Sequence, residues 1–218
     1  MSDSGAGATI SFRQELLRKG VHLSSLWMAA LILFWPWNDR FLFYFFLVCL
    51  ILNLFCEFAY ARNVPVITPI YRFFFGRMLR KAPAPGDWVV SGSPPVFLAA
   101  ALTTLLFPRF IAAAALGVML TADTAAALIG RRFGRHRLNG GKSVEGTLAF
   151  FVTGTCFAVL VLWYAGAASC VMLLSAAAGV FLAALAELFQ KQLRLDDNLT
   201  IPVICGAVMT LAFRFAAY

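Results

Sequence analysis

The segment from Asp123 to Gly146, DTAAALIGRRFGRHRLNGGKSVEG, combines residue types that suit phosphate chemistry. It starts with a carboxylate near the end of an apolar stretch, continues with arginines and glycines, and ends on Lys142-Ser143 and Glu145-Gly146. Ionisable groups at membrane depth are costly, so an acid within an apolar helix that ends in a basic run indicates a functional site. We therefore expect this segment to bind a nucleoside triphosphate and its metal ion at the membrane surface.

Within that segment, Gly140-Gly141-Lys142-Ser143 has the composition of a phosphate-binding turn. Glycine lets backbone amides approach phosphate oxygens, lysine supplies a positive charge, and a helix that starts there offers its N-terminus to an anion. We expect Ser143 to cap that helix. The segment is not a Walker A loop, because His136 stands where that motif requires its first glycine.

Asp123 lies about two turns before the end of its predicted helix. Asp123, Ala127, Gly130 and Gly134 follow i, i+4, i+7, i+11 spacing and therefore share one helix face. The small residues either admit a ligand or form a packing stripe between helices, with an acid that reaches toward the surface. Because an acid within a membrane span is a functional candidate by default, we favour the ligand.

Two further acidic positions fall at the same side of the predicted membrane. Glu187 ends one span, and Asp196-Asp197-Asn198 opens the next. Asp or Asn at a helix start is an ordinary N-cap, so one of those three residues is expected to be structural. Carboxylate oxygens beside phosphates are the ligands that Mg²⁺ prefers. We predict that Asp123, Asp197 and Glu187 hold Mg²⁺ or another divalent cation.

The composition places these residues in a membrane protein. Hydrophobic residues make up 61% of the 218 positions, against about 45–50% in soluble domains. Apolar windows of roughly 20 residues predict helices that span a bilayer. The predicted spans cover about 20–37, 41–61, 88–107, 110–129, 147–165, 169–189 and 199–217. We expect an all-α integral membrane protein with about seven transmembrane helices, of which the span at 88–107 is the least regular because Pro94 and Pro95 interrupt its start.

The 62–87 loop predicts one additional helix, which lies on the membrane surface. Apolar and basic residues alternate there near helical spacing, as in an interfacial amphipathic helix. The apolar positions are Ile67, Ile70, Phe73, Phe74, Met78 and Leu79, and the basic ones are Arg72, Arg77, Arg80 and Lys81. This helix either anchors the protein or gates the access of a lipid substrate, and we favour the anchor.

Basic residues are distributed unevenly between the predicted loops. With seven spans, 15 of the 18 Lys and Arg residues fall on one side, in the N-terminal segment and in loops 62–87, 130–146 and 190–198. The positive-inside rule assigns that side to the cytoplasm, so the N-terminus is expected inside and the C-terminus outside a prokaryotic plasma membrane. Basic residues at helix ends face anionic headgroups, which argues against a nucleic-acid partner.

One polytopic membrane domain, residues 13–218, accounts for the chain beyond a short N-terminal tail. Residues 1–12 are mostly small and polar and are expected to be disordered. The five cysteines lie within predicted spans and lack CxxC or Cys/His spacing. We expect them to be small buried apolar residues, not metal ligands.

Four motifs, in this order, resemble those of the CTP-dependent lipid kinase family, which includes dolichol kinase, phytol kinase and the CTP-using diacylglycerol kinase. The motifs are Arg18-Lys19-x-x-His22, Asp123-x6-Gly130-x3-Gly134, Gly141-Lys142-Ser143-x-Glu145-Gly146-Thr147 and Asp196-Asp197-Asn198-Leu199-Thr200-Ile201-Pro202. The resemblance covers the chain from residue 13 to about 203. It implies transfer of the γ-phosphoryl group of CTP to the hydroxyl of a membrane lipid, with a divalent metal. It also implies critical roles for Arg18, Lys19, Asp123 and Gly130.

The resemblance leaves the lipid open among polyprenol or dolichol, phytol and diacylglycerol, because the chain lacks the extra N-terminal spans of the eukaryotic dolichol kinases. We assign catalytic roles to Asp123, Lys142 and Asp197, with phosphoryl transfer achieved by positioning and charge neutralisation. The residues expected to bind the nucleotide or its phosphates are Arg18, Lys19, Gly130, Arg131, Arg132, Gly134, Gly140, Gly141, Ser143, Glu145, Gly146 and Asn198. One of the acids is expected to accept the hydroxyl proton.

Two other functions compete with this interpretation. The phosphatidate cytidylyltransferase family has a similar acid, GRxFG-like segment and KxxEG-like element, but continues with a KD pair and a DRxD-type cluster. This chain has DDNLTIP instead, which favours the kinase. The third possibility is a non-enzymatic membrane transporter, which paired broken helices in two repeated halves would favour. The sequence shows no such halves.

Overall fold

The structure is a computed structural model that describes residues 12–36, 38–75, 92–138, 141–193 and 196–216. Regular structure in these ranges is helical, apart from one isolated antiparallel pairing of Arg137 with Ser143. The helices are α1 (Phe12–Ser24), α2 (Leu26–Phe34), α3 (Asp39–Ala61), α4 (Ile67–Phe75), α5 (Ser93–Leu106), α6 (Arg109–Phe133), α7 (Val144–Tyr164), α8 (Cys170–Leu188), α9 (Gln190–Leu193) and α10 (Asp197–Ala216).

In the described ranges, six helical segments are long and apolar enough to cross a membrane. They are Phe12–Phe34, Arg40–Ala61, Arg109–Phe133, Val144–Tyr164, Cys170–Leu188 and Asp197–Ala216. The prediction of an all-α, multi-pass membrane protein is therefore confirmed, whereas the count of about seven spans is not. The difference is α5, whose 14 residues extend about 21 Å, less than the roughly 30 Å of a hydrocarbon core.

Although α5 is short, it connects the same two ends of the bundle as the longer helices do. Gly92 and Ser93, at its start, line a large cavity at one end of the bundle. At the opposite end, Arg109 begins α6, and its guanidinium donates a hydrogen bond to the carbonyl of Trp35. Consecutive prolines at the first turn of α5 are compatible with a helix start, where the missing N–H groups have no intrahelical partner.

The first apolar segment begins earlier than predicted. It was expected to span 20–37, but the helix starts at Phe12 and turns at Ser25, between α1 and α2. The reason is that α1 buries charged groups against other helices: Glu15 and Lys19 are only 7% and 5% exposed. Residues 1–11 of the predicted disordered tail lie outside the described residues.

The centre of the bundle is α6. In its most apolar window 72% of the residues are buried, compared with 17% for the window in Arg40–Ala61. Six alanines between positions 112 and 126 have no more than 9% exposure, so neighbouring helices approach the α6 backbone closely. Helices α1, α2, α5, α7 and α10 all contact α6. The positions of residues on α6, including Asp123, are therefore fixed by contacts with five other helices.

The structure also bears on the predicted surface helix and on the predicted burial of the cysteines. Helix α4 lies within the 62–87 loop, and the rest of the predicted amphipathic segment, from residue 76 onward, falls outside the described residues. Burial of the cysteines holds for Cys205 but is wrong for Cys156 and Cys170, which are exposed. Both lie on outward-facing helix surfaces, where an apolar thiol faces lipid at little cost.

Candidate functional site

The connection between α6 and α7 is shorter than the predicted 130–146 loop. Because α6 continues to Phe133, Gly130, Arg131 and Arg132 belong to its last turn. The chain then folds back on itself, with the amide of Leu138 donating to the carbonyl of Lys142 at 2.9 Å. Gly141 has φ of 85°, a left-handed conformation that glycine adopts without strain. This turn brings Lys142 back beside the end of α6.

Ser143 caps α7 as predicted. Its hydroxyl accepts a hydrogen bond from the amide of Gly146 at 3.1 Å. The same hydroxyl packs against α6, since a Cβ atom at Gly130 would lie 3.0 Å from it and one at Gly134 would lie 2.6 Å from it. A Cβ at Gly146 would lie 2.9 Å from the carbonyl oxygen of Ala126. The glycines thus allow α6 and α7 to meet directly under the turn.

Glu145 stabilises the turn. Its carboxylate accepts a hydrogen bond from the His136 amide at 3.2 Å and lies 2.8 Å from Nδ1 of the same residue. The neighbouring amide of Val144 donates to the His136 carbonyl at 3.0 Å. Glu145 therefore holds the start of α7 against His136, and its carboxylate is occupied by the hydrogen bonds to that residue.

A cavity of about 1210 Å³ lies at this end of the bundle and gathers most of the predicted site. The predicted residues that line it are Arg18, Lys19, Asp123, Gly130, Arg131, Gly141, Lys142, Ser143, Gly146, Glu187, Asp197 and Asn198. Arg132, Gly134 and Glu145 are not among its lining residues. Gly140 lies outside the described residues. Residues from α1, α6, α8, α10 and the α6–α7 connection, distant in sequence, thus share one cavity.

Two ion pairs between helices dominate this cavity. Lys19 of α1 pairs with Asp123 of α6, and both side chains are almost fully enclosed, at 6% and 12% exposure. Lys142 of the α6–α7 connection pairs with Glu187 at the end of α8, whose side chain is 3% exposed. The buried carboxylates of Asp123 and Glu187 therefore each have a lysine partner, as buried charges require. We call Lys19, Asp123, Lys142, Glu187 and Asp197 the charged cluster.

Two neighbouring acids at the start of α10, Asp196 and Asp197, have different roles. Asp196 caps the helix, because its carboxylate accepts the Asn198 amide at 2.9 Å and its carbonyl accepts the Thr200 amide at 2.9 Å. Asp197 is the first residue of α10 and lines the cavity with Asn198. The prediction that one of these three residues is a structural N-cap is therefore confirmed by Asp196.

The chemistry of the cavity suits a divalent cation bound together with phosphates. Asp123, Asp197 and Glu187 all line it, but no three His, Cys, Asp or Glu side chains of the described ranges form a ready-made metal site. Mg²⁺ usually takes one or two carboxylates and completes its shell with water and substrate phosphates. A protein cage of three ligands is therefore unnecessary, and hard oxygen donors beside lysines fit a metal–triphosphate complex.

Sequence reasoning missed two polar residues of this site. Glu15 forms an ion pair with Arg18 at 2.6 Å and lies 3.6 Å from the guanidinium of Arg131, so it links α1 to the last turn of α6. Its i, i+3 spacing from Arg18 was the available signal. Asn53 of α3 also lines the cavity, and its Oδ1 is buried with no hydrogen-bond partner among the described residues. A single amide in an apolar helix gave the sequence no pattern to match.

Comparison with known proteins identifies a relative of this chain, but the description of that relative names no activity. No family model matches the chain. It is similar to a bacterial protein, "Uncharacterized protein RP860" of Rickettsia prowazekii (strain Madrid E), with 30% identity over 196 residues. The alignment covers 89% of this chain and 93% of that protein. The chain belongs to the same family as this rickettsial protein. No solved structure matches the chain.

Proposed function

We propose that this protein transfers the γ-phosphoryl group of CTP to the hydroxyl of a membrane lipid alcohol at the cytoplasmic face of the membrane. The observation that carries the proposal is the charged cluster, in which two lysines and three carboxylates from five separate chain segments line one cavity. A site for a triphosphate and its metal ion needs side chains of both charge signs close together. Positive groups bind the phosphates, and hard oxygen ligands bind the cation.

The lysines bind the phosphates in this proposal. Lys142 is 31% exposed at its side chain and lies on a turn, so it reaches a phosphate oxygen from its pair with Glu187. Lys19 is held more firmly, in α1 against α6, and fixes Asp123. Arg18 and Arg131 also line the cavity and supply further positive charge. Such preorganised cations stabilise the charge that develops as the γ-phosphoryl group moves between oxygens.

The carboxylates have the complementary task. A divalent cation held by Asp123, Asp197 and Glu187 would neutralise charge on the triphosphate and orient it. The lipid oxygen forms a bond to the γ-phosphorus, the bond to the β-phosphate oxygen breaks, and CDP leaves. A carboxylate of the charged cluster accepts the hydroxyl proton. In-line positioning and charge neutralisation account for most of the catalysis in phosphoryl transfer.

The choice of CTP and of a lipid acceptor rests on the family resemblance of the motifs together with their positions. Residues from all four motifs, including Arg18, Lys19, Asp123, Lys142 and Asp197, line the same cavity. The cavity lies at one end of a bundle of apolar helices, which is where a water-soluble nucleotide and a membrane lipid would meet. The excess of basic residues at that end supports a cytoplasmic orientation.

A cytidylyltransferase acting on phosphatidate is the second candidate, because the acid, the Gly130–Gly134 segment and the lysine turn suit either reaction. The products distinguish the two. A kinase moves the γ-phosphorus of CTP into the lipid and releases CDP, whereas a cytidylyltransferase moves the α-phosphorus and releases pyrophosphate. The purified protein is incubated with CTP labelled at one position or the other, Mg²⁺, and phytol, a polyprenol, dioleoylglycerol or phosphatidate.

We expect label from γ-labelled CTP, and none from α-labelled CTP, in the organic phase with an alcohol acceptor. Recovery of α-label with phosphatidate, together with pyrophosphate, would replace the kinase with the cytidylyltransferase. Asp123→Asn protein is the matched control for contaminating kinases, because its loss of one charge changes the side-chain volume little. Equal labelling by that variant would assign the activity to a contaminant.

A further inference from the structure

Glu15 is an acid with arginine neighbours from two different helices. Its Oε1 atom accepts a hydrogen bond from Nη2 of Arg18 at 2.6 Å, and its Oε2 atom lies 3.6 Å from Nη1 of Arg131. Each carboxylate oxygen therefore faces a different guanidinium group, one on α1 and one on the last turn of α6. One acid thus holds two like charges near each other. We call Glu15, Arg18 and Arg131 the arginine clamp.

In the arginine clamp the acid is enclosed and the arginines are not. The Glu15 side chain is 9% exposed, whereas the side chains of Arg18 and Arg131 are 40% and 34% exposed. All three residues line the cavity. A guanidinium group has five N–H donors, so one carboxylate cannot use all the donors of two arginines. Because a third or more of each arginine side chain remains exposed, an anion in the cavity can contact both.

The arginine clamp and the charged cluster have opposite net charge. The clamp combines two arginines with one acid, so one positive charge is in excess. The charged cluster combines two lysines with three carboxylates, so one negative charge is in excess. Both groups line the same cavity. The clamp is therefore the part of this site that favours an anion, while the cluster favours a cation.

The arginine clamp lies nearer the end of α6 than the ion pair of Lys19 with Asp123 does. Glu15 precedes Lys19 by four residues of α1, about 6 Å, and Arg131 follows Asp123 by eight residues of α6, about 12 Å. The contacts between α1 and α6 therefore occur at two successive levels, with the clamp close to Phe133, where α6 ends. A polyphosphate with one end at the charged cluster can extend to the clamp.

We propose that Glu15 is a positioning residue, which orients Arg18 and Arg131 so that both guanidinium groups contact the phosphates of the nucleotide that are not transferred. Arginine makes paired hydrogen bonds to phosphate oxygens through a planar group, so its orientation matters as well as its charge. The ligand class is the diphosphate part of a nucleotide. The choice of a nucleotide as the source of these phosphates rests on the proposed kinase function, and the anion site itself does not.

Protection of arginines from chemical modification tests the site in the wild-type protein. The full-length protein in phosphatidylcholine nanodiscs is treated with phenylglyoxal, which modifies guanidinium groups, and each modified residue is quantified by mass spectrometry. At a CDP concentration about ten times its Kd, with Mg²⁺, modification of Arg18 and Arg131 should slow about tenfold, because only the unbound protein reacts. Cytidine, which has no phosphate, should not protect them. Arg135 is the internal control, because it is exposed and does not line the cavity. Equal modification with and without CDP would overturn the proposal.

A lipid headgroup is the other source of a phosphate, and a second arm of the experiment examines it. The protein is placed in nanodiscs that contain dioleoyl phosphatidate in phosphatidylcholine, and no nucleotide is added. We expect Arg18 and Arg131 to react as fast as they do in phosphatidylcholine alone. Protection by phosphatidate as strong as that by CDP would overturn the assignment of the arginine clamp to the nucleotide.

The variant Glu15→Gln separates orientation from charge. It keeps the side-chain volume, removes the acid and leaves the site more positive. Charge alone would then bind CDP more tightly. We expect CDP to bind about tenfold more weakly by isothermal titration calorimetry, because the guanidinium groups lose the carboxylate that orients them. Unchanged or tighter binding of CDP would overturn the positioning role of Glu15.

Arg131→Lys tests the same requirement in a variant that keeps every charge. The ammonium group lacks the planar set of donors, so CDP should bind at least about threefold more weakly. Arg135→Lys is the matched control, because Arg135 lies four residues later and does not line the cavity, and it should bind CDP as wild type does. If Glu15→Gln does not fold, this pair decides the question: unchanged binding in Arg131→Lys would exclude a guanidinium site.

Kinetics separate failure of this inference from failure of the proposed function. With γ-labelled CTP, Glu15→Gln should raise the KM for CTP about tenfold and change kcat by less than about threefold, because the arginine clamp contacts phosphates that do not react. If wild type transfers label and the KM for CTP is unchanged in Glu15→Gln, the role of Glu15 is wrong. If wild type transfers no label to any lipid but CDP still protects Arg18 and Arg131, the kinase proposal fails and the anion site stands.

Discussion

Lys19 and Asp123 form a buried ion pair although 104 residues separate them in the chain. Lys19 comes from the first helix and Asp123 from the central one, so the pair joins the N-terminal helix to the core of the bundle. His22 lies one turn beyond Lys19, with Nε2 3.4 Å from the same carboxylate. Three residues that share two sequence motifs are thus one structural unit at the cavity.

Removing Lys19 should destabilise the fold more than it would at an exposed site. Lys19→Met leaves the carboxylate of Asp123 buried and without its partner, which costs about 3–5 kcal/mol in comparable pairs. The double variant Lys19→Met/Asp123→Asn should recover most of that loss, since no lone charge remains. Thermal unfolding of both variants in the same detergent measures the difference. Equal unfolding temperatures for Lys19→Met and wild type would show that the pair contributes little.

Asp123→Asn should abolish turnover in a protein that still folds and inserts into the membrane, although it is less stable than wild type because the buried Lys19 loses its ionic partner. The amide oxygen still accepts a hydrogen bond from Lys19, and the volume is nearly unchanged, but the negative charge for the cation is gone. We expect kcat to fall by about 100-fold or more. Retention of the wild-type elution profile in size-exclusion chromatography is the control for folding. A purified variant that turns over at the wild-type rate would exclude the metal role.

Lys142→Ala should raise the KM for the nucleotide and lower kcat by about tenfold or more, because one charge partner of the triphosphate is lost. Arg132→Ala is the matched control: Arg132 is also basic and lies on the last turn of α6, but it does not line the cavity. Steady-state rates over a range of CTP concentrations compare the two. If both variants respond to CTP as wild type does, Lys142 serves the membrane topology and not the reaction.

The membrane helices were predictable because their signal is local. A run of apolar residues of sufficient length specifies a spanning helix wherever its neighbours lie, so α3, α7, α8 and α10 begin and end near their predicted limits. Boundaries failed where charged residues continue a helix. Arg131 and Arg132 looked like loop residues but extend α6, as Arg18 and Lys19 extend the first segment. Arg131 and Lys19 each lie beside a carboxylate of another helix, Glu15 and Asp123 respectively.

The pairings within the site were not predictable from spacing. The sequence placed Lys142 with phosphates and Glu187 with a metal, and nothing in it connects two residues 45 positions apart. Glycines had the same ambiguity. Gly130 and Gly146 were expected to admit phosphates, and the structure shows that each also lies where a Cβ would contact the opposite helix. A glycine motif in a sequence does not show whether the group that packs against the glycine is a bound ligand or the backbone of another helix.

That second role of glycine gives a stability prediction. Gly146→Ala places a Cβ 2.9 Å from the carbonyl of Ala126 and 3.1 Å from Cα of Gly130, so α6 and α7 must separate slightly. We expect a loss of about 1–3 kcal/mol in stability. Gly20→Ala is the matched control, because nothing lies within 4 Å of its Cβ position on α1, and it should be neutral or stabilising. Equal unfolding temperatures for the two variants would contradict the packing role.

The orientation of the bundle gives the last prediction. His136 lies on the exposed connection between α6 and α7, beside the cavity, and Ala165 lies on the exposed connection between α7 and α8, at the far end of α7. The five native cysteines are first replaced by serine or alanine, and one cysteine is then introduced at either position. If basic residues mark the cytoplasmic side, a membrane-impermeant maleimide labels Ala165→Cys in intact bacterial spheroplasts and labels His136→Cys only after permeabilisation. The reverse pattern would place the cavity outside the cell, where CTP is absent, and would remove the kinase proposal. Labelling of both positions from one side would show that α7 does not cross the membrane.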